Sequence, residues 1–359
     1  MASTLDYNRF LPWENDLQTK VIGGGPDDRS GRIYLYDPKL QLATEIAIVT
    51  QRPLLIRGSP GSGKSSFAPF VARNLKWRYY ETTITGRTEA KDLLWRFDAL
   101  ARLRDAQARS YVISDDRDID PSRYITPGVL WWAFNRRDAK KFISKRKDSN
   151  KGKDNRMDRE PFAEINCHRD PVRTVVLIDE IDKAEPELPN DMLEIFGLNR
   201  FTVDEVDHTV RRTIPNPKDN IKSSSHYGSL LIIITTNQER DLPAAFLRRC
   251  IVHTLEEPKE KEKLISRLES VAYLHLGDKL RSQSNGKELA RRVAEKCYSF
   301  REEAAKSRGR GPSTAEYLDA LRVCLDLEII PEPQEITESR TTTESESIWN
   351  MVEKNVFIK

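Results

Sequence analysis

The chain has 359 residues, 38% apolar and 32% charged, enough to bury a core and divide into roughly two domains, which excludes a disordered or fibrous protein. Its 59 Lys and Arg against 56 Asp and Glu leave a formal charge of +3, so no global field points to nucleic acid or a membrane, and any basic patch is local. Cys167, Cys250, Cys297 and Cys324 form no CxxC pair, MASTLDYNRF lacks a signal-peptide pattern, and the longest aliphatic run, Leu230 to Ile234, cannot span a bilayer; reduced thiols, a cytoplasmic location and no membrane contact are expected.

Residues 1–33 are polar, with Gly23, Gly24, Gly25 and Pro26 marking a turn, and read as an N-terminal arm without chemistry. From Pro53 a short apolar run stops at a glycine-rich stretch, followed by a helical pattern through Phe67, Phe70, Val71 and Leu75: strand, loop, helix. Pro69 falls inside that helix and predicts a kink. Residues 136–160 hold 11 Lys or Arg against 5 Asp or Glu, with almost no apolar residues. Such a run reads first as a solvated insertion loop and second as a contact for nucleic acid or an acidic partner. Phe142 is its only aromatic, which argues against a base-stacking platform.

Two further aliphatic runs, Thr174 to Ile178 and Leu230 to Ile234, are continuous rather than alternating, the pattern of parallel strands covered on both faces. An α/β core over 34–256 follows, with a last strand at Cys250 to Leu255. After Pro258 three apolar helical stripes begin at Leu264, Leu289 and Leu318, which predicts an all-helical second domain over 257–330. Residues 331–347 read as a polar loop, and 348–359 as a short helix docking back.

The chemistry concentrates in four places. Gly58-Ser59-Pro60-Gly61-Ser62-Gly63-Lys64-Ser65 fits GxxxxGK[ST] between a predicted strand and a predicted helix. In that context the backbone N–H groups of the loop, continued by Ser66 at the helix start, face phosphates; Lys64 neutralises β and γ oxygens and Ser65 ligates magnesium. Asp179 and Glu180 end the next aliphatic run, at the carboxyl edge where open α/β sheets place their ligands. Asp179 is read as the second magnesium holder, directly or through water, and Glu180 as the base for an attacking water. Asn237, after Thr235 and Thr236, can hydrogen-bond the γ-phosphate or that water. Arg248 and Arg249, before the last strand, offer the planar fork that suits γ-phosphate charge.

Taken in order, GSPGSGKS, VVLIDEID, IIITTN and AFLRRC, followed by helices, resemble the AAA+ ATPases, and the phrasing of YITPGVLWWAF and VVLIDEIDKAEPELPNDMLEIF is similar to the MoxR branch near its CbbQ and NorQ relatives. The resemblance covers about residues 34–330. It implies a five-stranded parallel sheet between helices with a helical lid, ATP and Mg2+ as ligands, and a hexameric ring with sites between neighbours. It also implies that Lys64 and Ser65 are Walker A, Asp179 and Glu180 Walker B, Asn237 sensor 1, and Arg249, with Arg248 as understudy, the finger reaching the next subunit. A hairpin from Arg200 to Val206 with Thr209 to Arg212 and an insertion from Arg102 to Phe134 match family features that face the partner or pore. One position departs: Gly311-Pro312-Ser313-Thr314-Ala315-Glu316 carries alanine where the family's sensor 2 arginine stands, leaving Arg308 or Arg310 as substitutes.

Three functions follow as expectations. The first is an ATP-driven ring that remodels or activates a client, commonly with a von Willebrand factor A domain protein. The second is a nucleotide-controlled oligomeric scaffold. The third is the motor subunit of a nucleic-acid-acting restriction or defence system, supported only by 136–160.

Overall fold

The computed structural model describes residues 29–35, 37–110, 120–148, 159–214, 229–307 and 309–327, with Asn350, Val352, Val356 and Phe357. The described residues form two compact units. One holds 38–57 and 71–253; the other holds 29–35, Asp37, 58–70 and the residues from Thr254 onward. The phosphate-loop motif therefore belongs with the C-terminal helices, not with the sheet.

In chain order the elements begin with α1 (Pro38–Thr50), β1 (Leu54–Arg57), α2 (Lys64–Asn74), β2 (Arg78–Thr83), α3 (Ala90–Leu94), β3 (Trp95–Phe97) and α4 (Ala99–Ser110). Next come β4 (Ile125–Pro127), α5 (Val129–Phe134), α6 (Arg136–Asp148), α7 (Ala163–Asn166), β5 (Thr174–Asp179) and α8 (Glu187–Leu198). The chain continues with β6 (Arg200–Val203), β7 (His208–Arg211), β8 (Leu230–Thr236), α9 (Ala244–Leu247) and β9 (Ile251–Thr254), and closes with α10 (Lys261–Ser282), α11 (Gly286–Lys306) and α12 (Thr314–Asp326).

Five strands form one sheet in the order β2-β5-β8-β1-β9. The β2–β5, β5–β8 and β8–β1 pairs are parallel, with Leu177 opposite Ile233 and Leu55 opposite Ile234. Every residue of β5 and β8 is buried, which is why these strands carry unbroken aliphatic runs rather than alternation. The α/β class with a parallel five-stranded sheet, helices around it and a C-terminal helical region is as expected. The expected hairpin forms as β6 and β7, antiparallel, with Phe201 opposite Val210. Lys91 and the Trp95 indole fasten its turn through Glu205, at 2.6 and 2.8 Å.

The basic stretch corrects the sequence reading. Residues 136–148 are a helix, not a loop, and residues 149–158 lie outside the described part. Asn135 caps it by accepting the Asp138 N–H at 3.0 Å. Ala139 and Ile143 are buried at 0% and 4%, and Phe142 packs on Trp131 with ring centroids 4.9 Å apart. Three apolar residues spaced i, i+3 and i+4 are enough to dock the helix on the core.

In the second unit, α10, α11 and α12 bury the three predicted stripes in one cluster that also takes in Val352 and Phe357. Phe357 meets Phe300 at 5.5 Å between centroids. The polar stretch 331–347 and Arg308 lie outside the described residues. Helix α2 runs from Lys64 to Asn74 with Pro69 inside it. The Pro69 carbonyl abuts Gly31, where a Cβ would stand 2.1 Å from the oxygen. Tyr34 packs on Phe67 and Phe70 at 5.2 and 5.3 Å within this unit. Among the described residues no helix is long and apolar enough to cross a membrane.

Candidate active site

The loop from Gly58 to Gly63 is built on positive backbone angles at Gly61 (φ 74°) and Gly63 (φ 89°), a region where a side chain is strained. Space imposes the same choice at Gly61: a Cβ there would lie 2.6 Å from Ser313 Oγ. The loop closes on itself where Ser62 N–H donates to Ser59 O at 3.3 Å, and α2 starts at Lys64, so its unpaired N–H groups open toward the loop. Lys64 is 94% buried, and its Nζ donates to the carbonyls of Gly58 and Ser59 at 2.8 and 2.7 Å. Its ammonium is thus held at the loop by two carbonyls.

Ser62 Oγ is buried without a hydrogen-bond partner. An orphaned hydroxyl, a buried ammonium, a helix N-terminus and a glycine cradle fit a polyphosphate. Ser65 is the second residue of α2, next to Lys64 at the helix start.

The lid end of this unit meets the same loop. Ser313 caps α12, accepting the Glu316 N–H at 3.3 Å, while the Glu316 carboxylate accepts the Ser313 N–H at 2.6 Å. Ala315 Cβ lies 3.5 Å from where a Cβ on Gly61 would stand. Ala315, which the resemblance aligns with sensor 2, therefore adjoins the phosphate loop and carries no guanidinium. Arg310, one of the two candidate substitutes, lies 3.9 Å from Glu316. Arg301 instead clamps the entry to α12, donating to Pro312 O at 2.6 Å and pairing with Glu257.

In the sheet unit, Asp179 and Glu180 stand at the carboxyl end of β5. Asp179 is buried and accepts a hydrogen bond from the Thr235 hydroxyl. Glu180 adopts a left-handed backbone (φ 59°, ψ 50°), and its N–H donates to the same Thr235 oxygen at 3.0 Å. One buried hydroxyl on the neighbouring strand thus sets both the carboxylate of one acid and the backbone of the next, turning Glu180 out of the strand line. Asp182 does the equivalent for Asn237: its Oδ2 accepts the N–H groups of Asn237 and Glu239 at 3.1 and 3.0 Å. Neither Thr235 nor Asp182 was among the sequence-predicted residues. A hydroxyl pair between the aliphatic run and Asn237, and a third acid after Asp179-Glu180, were the available signals.

Arg248 and Arg249 are not brought to this edge. Ile251 N–H, first in β9, donates to Pro53 O at 2.8 Å, just ahead of β1. Arg52 clamps the same corner: its guanidinium donates to the carbonyls of Arg248, Arg249 at 3.1 Å and Cys250 at 2.9 Å. Both arginine side chains are exposed, and Arg249 reaches only back to Ala245 O at 3.1 Å. They stand at the amino end of β1, whereas the acids end the carboxyl edge, with the length of a four-residue strand, about 13 Å, between the two edges. Burial pushes the adjacent Cys250 thiol up to about 12.

Among proteins of known structure, the chain resembles a candidate ATPase from Cytophaga hutchinsonii, with 14% identity, 83% of this chain and 77% of that one covered, and a TM-score of 0.34. No curated protein matches. The profile of the ATPase family associated with various cellular activities matches residues 54–257, more than half of the chain and all four motifs built above. The chain belongs to that AAA family.

Proposed function

We propose that this chain is a MoxR-type ATPase that assembles into a ring and uses ATP hydrolysis to remodel or activate a partner protein. The loop Gly58–Gly63 and the start of α2 hold the phosphates through backbone N–H groups, and Lys64 supplies the fixed positive charge. Ser65 and Asp179 are the residues to hold magnesium, which when bound offsets charge on the β and γ oxygens. Glu180 orients a water and takes its proton; Asn237 donates to the γ-phosphate or to that water.

The observation that carries the assembly is the position of Arg248 and Arg249. Exposed at the opposite edge of their own sheet, they suit the nucleotide of a neighbouring copy, where a guanidinium stabilises charge on the transferring phosphoryl group. A ring client, or a von Willebrand factor A domain protein that delivers one, is the partner class this reading takes.

Mixing subunits tests it. Arg249→Ala keeps its own acids, and Glu180→Gln keeps its own finger; each alone is inactive. A mixture restores turnover at interfaces where an intact finger faces an intact Glu180. If no ratio restores activity, the arginine does not act across an interface. A second reading, a nucleotide-controlled scaffold with slow turnover, is favoured by Ala315 at the sensor 2 position. Tight nucleotide binding with negligible hydrolysis at every protein concentration would establish it.

A further inference from the structure

Helix α6 carries charge in an arrangement that the ATPase reading does not use. Its apolar face, Ala139, Phe142 and Ile143, is spent on the core around Trp131. The one acid in its first turns, Asp138, faces inward as well: Oδ2 accepts the Trp131 indole N–H at 2.9 Å and lies 2.9 Å from His208 Nε2, whose ring stacks on Trp131. The outward face is left with Arg137, Lys140, Lys141, Ser144 and Lys145, all exposed. Among the described side chains of the helix, no acid or large apolar group shares that face.

Among the described residues, two acids of neighbouring elements are already committed. Glu160, 6% exposed, accepts from Arg78 at 3.0 Å, Arg136 at 2.7 Å and Lys140 at 2.9 Å, and from the Tyr80 hydroxyl at 2.9 Å. Three cations against one carboxylate leave the cluster positive. Asp170 is spent on the N–H groups of Val172 and Arg173, both at 2.8 Å. The surplus extends beneath: burial, then the charges of Arg73 and Arg78, lower Arg169 to about 10.

We infer that the exposed face of α6 is a sequence-independent contact for the sugar-phosphate backbone of nucleic acid. Protein interfaces concentrate aromatic and aliphatic anchors at their centre and are depleted of lysine. Phosphate contacts require only donors and positive charge. This face offers donors and charge with no apolar centre, and it lacks the exposed aromatic that base stacking would need. Arg137, Lys141 and Lys145 recur every four residues, so they form a row about 12 Å long with about 6 Å of helix rise between successive cations, one cation for each of three phosphates. The inference does not depend on ATP hydrolysis.

The test is fluorescence anisotropy of the full chain with a labelled 30-base-pair duplex of arbitrary sequence, titrated at several salt concentrations. The wild type should bind at low salt with affinity falling steeply as salt rises. The triple variant Arg137→Gln, Lys141→Gln, Lys145→Gln should bind at least about tenfold more weakly, with a salt slope smaller by about 3, one per lost phosphate contact. A charge-matched control, Lys279→Gln, Arg281→Gln, Lys287→Gln on exposed lid positions, should leave both unchanged. All six positions are exposed, and unchanged far-ultraviolet circular dichroism verifies folding. No binding at low salt, equal losses from the two triple variants, or competition by polyglutamate as effective per charge as by DNA would overturn the inference.

Discussion

Replacing Thr235 by valine keeps the side-chain volume and removes one hydroxyl. That hydroxyl is fully buried, donates to Asp179 and accepts the Glu180 N–H at 3.0 Å, so its loss removes a hydrogen bond from each of two groups at once. A hydrogen bond to an ionised group contributes about 1.5–3 kcal/mol, and a buried N–H left without an acceptor costs about 1–3 kcal/mol. Partial relaxation keeps the sum below simple addition, so a stability loss of about 2–4 kcal/mol is expected. The catalytic consequence is separate. If about 1.4–2.7 kcal/mol of the positioning of Asp179 and Glu180 is expressed in the transition state, kcat falls about 10- to 100-fold. Steady-state hydrolysis gives kcat, and a fluorescent nucleotide gives affinity, which should change little because the phosphate loop is intact. Thr235→Ser restores the hydroxyl and should recover most of the rate. A folded Thr235→Val protein with wild-type kcat would refute the claim that this hydroxyl sets the acidic pair.

Lys64→Ala should abolish nucleotide binding, whereas Glu180→Gln should retain binding and stop turnover; unchanged hydrolysis in the latter would remove Glu180 from the base role. Gly61→Ala forces a Cβ into left-handed backbone and against the buried Ser313, costing about 1–2 kcal/mol in backbone strain before any clash. It should lower the melting temperature by a few degrees and weaken nucleotide binding, and unchanged values for both would contradict the observed contact. Glu160 tests the electrostatics through pH. Burial would raise its carboxyl, but hydrogen bonds from Arg136, Lys140 and Tyr80 outweigh that and hold it at about 2. A depressed folded-state value contributes stability above the unfolded carboxylate range near 4.5 that disappears as pH falls through about 2. Denaturation of Glu160→Gln should therefore lack about 3 kcal/mol of the wild type's decline between those limits, and identical pH profiles would contradict it.

The parts of this molecule that were legible are those with local signatures. The octet Gly58 to Ser65 encodes its own turn, its glycine angles and its helix start, and the aliphatic runs of β5 and β8 announce burial on both faces without reference to anything distant. The contacts that position the chemistry are not local. Thr235 acts on residues 55 and 56 positions away, and Arg52 grips a corner nearly two hundred residues later. No periodicity carries that information, because it arises only when the sheet order brings β8 beside β5 and β9 beside β1. Helix α6 was misread for a different reason. Its charge density masks a stripe of three residues, and a helix this polar is stable only because Trp131 and its neighbours bury that stripe. Glu160 likewise sits at the end of a basic run, where charge counting treats it as one more solvated residue rather than the anchor of three cations.

The central claim is that one chain's phosphate loop and acids are completed by another chain's arginine. Steady-state Mg·ATP hydrolysis per subunit, measured over a wide range of protein concentration without any partner, tests it most directly. The account predicts a rate per subunit that climbs steeply with concentration and then saturates, with Arg249→Ala flat and near zero throughout. A rate per subunit that is substantial and constant down to the lowest concentration, where copies are dissociated, would contradict it.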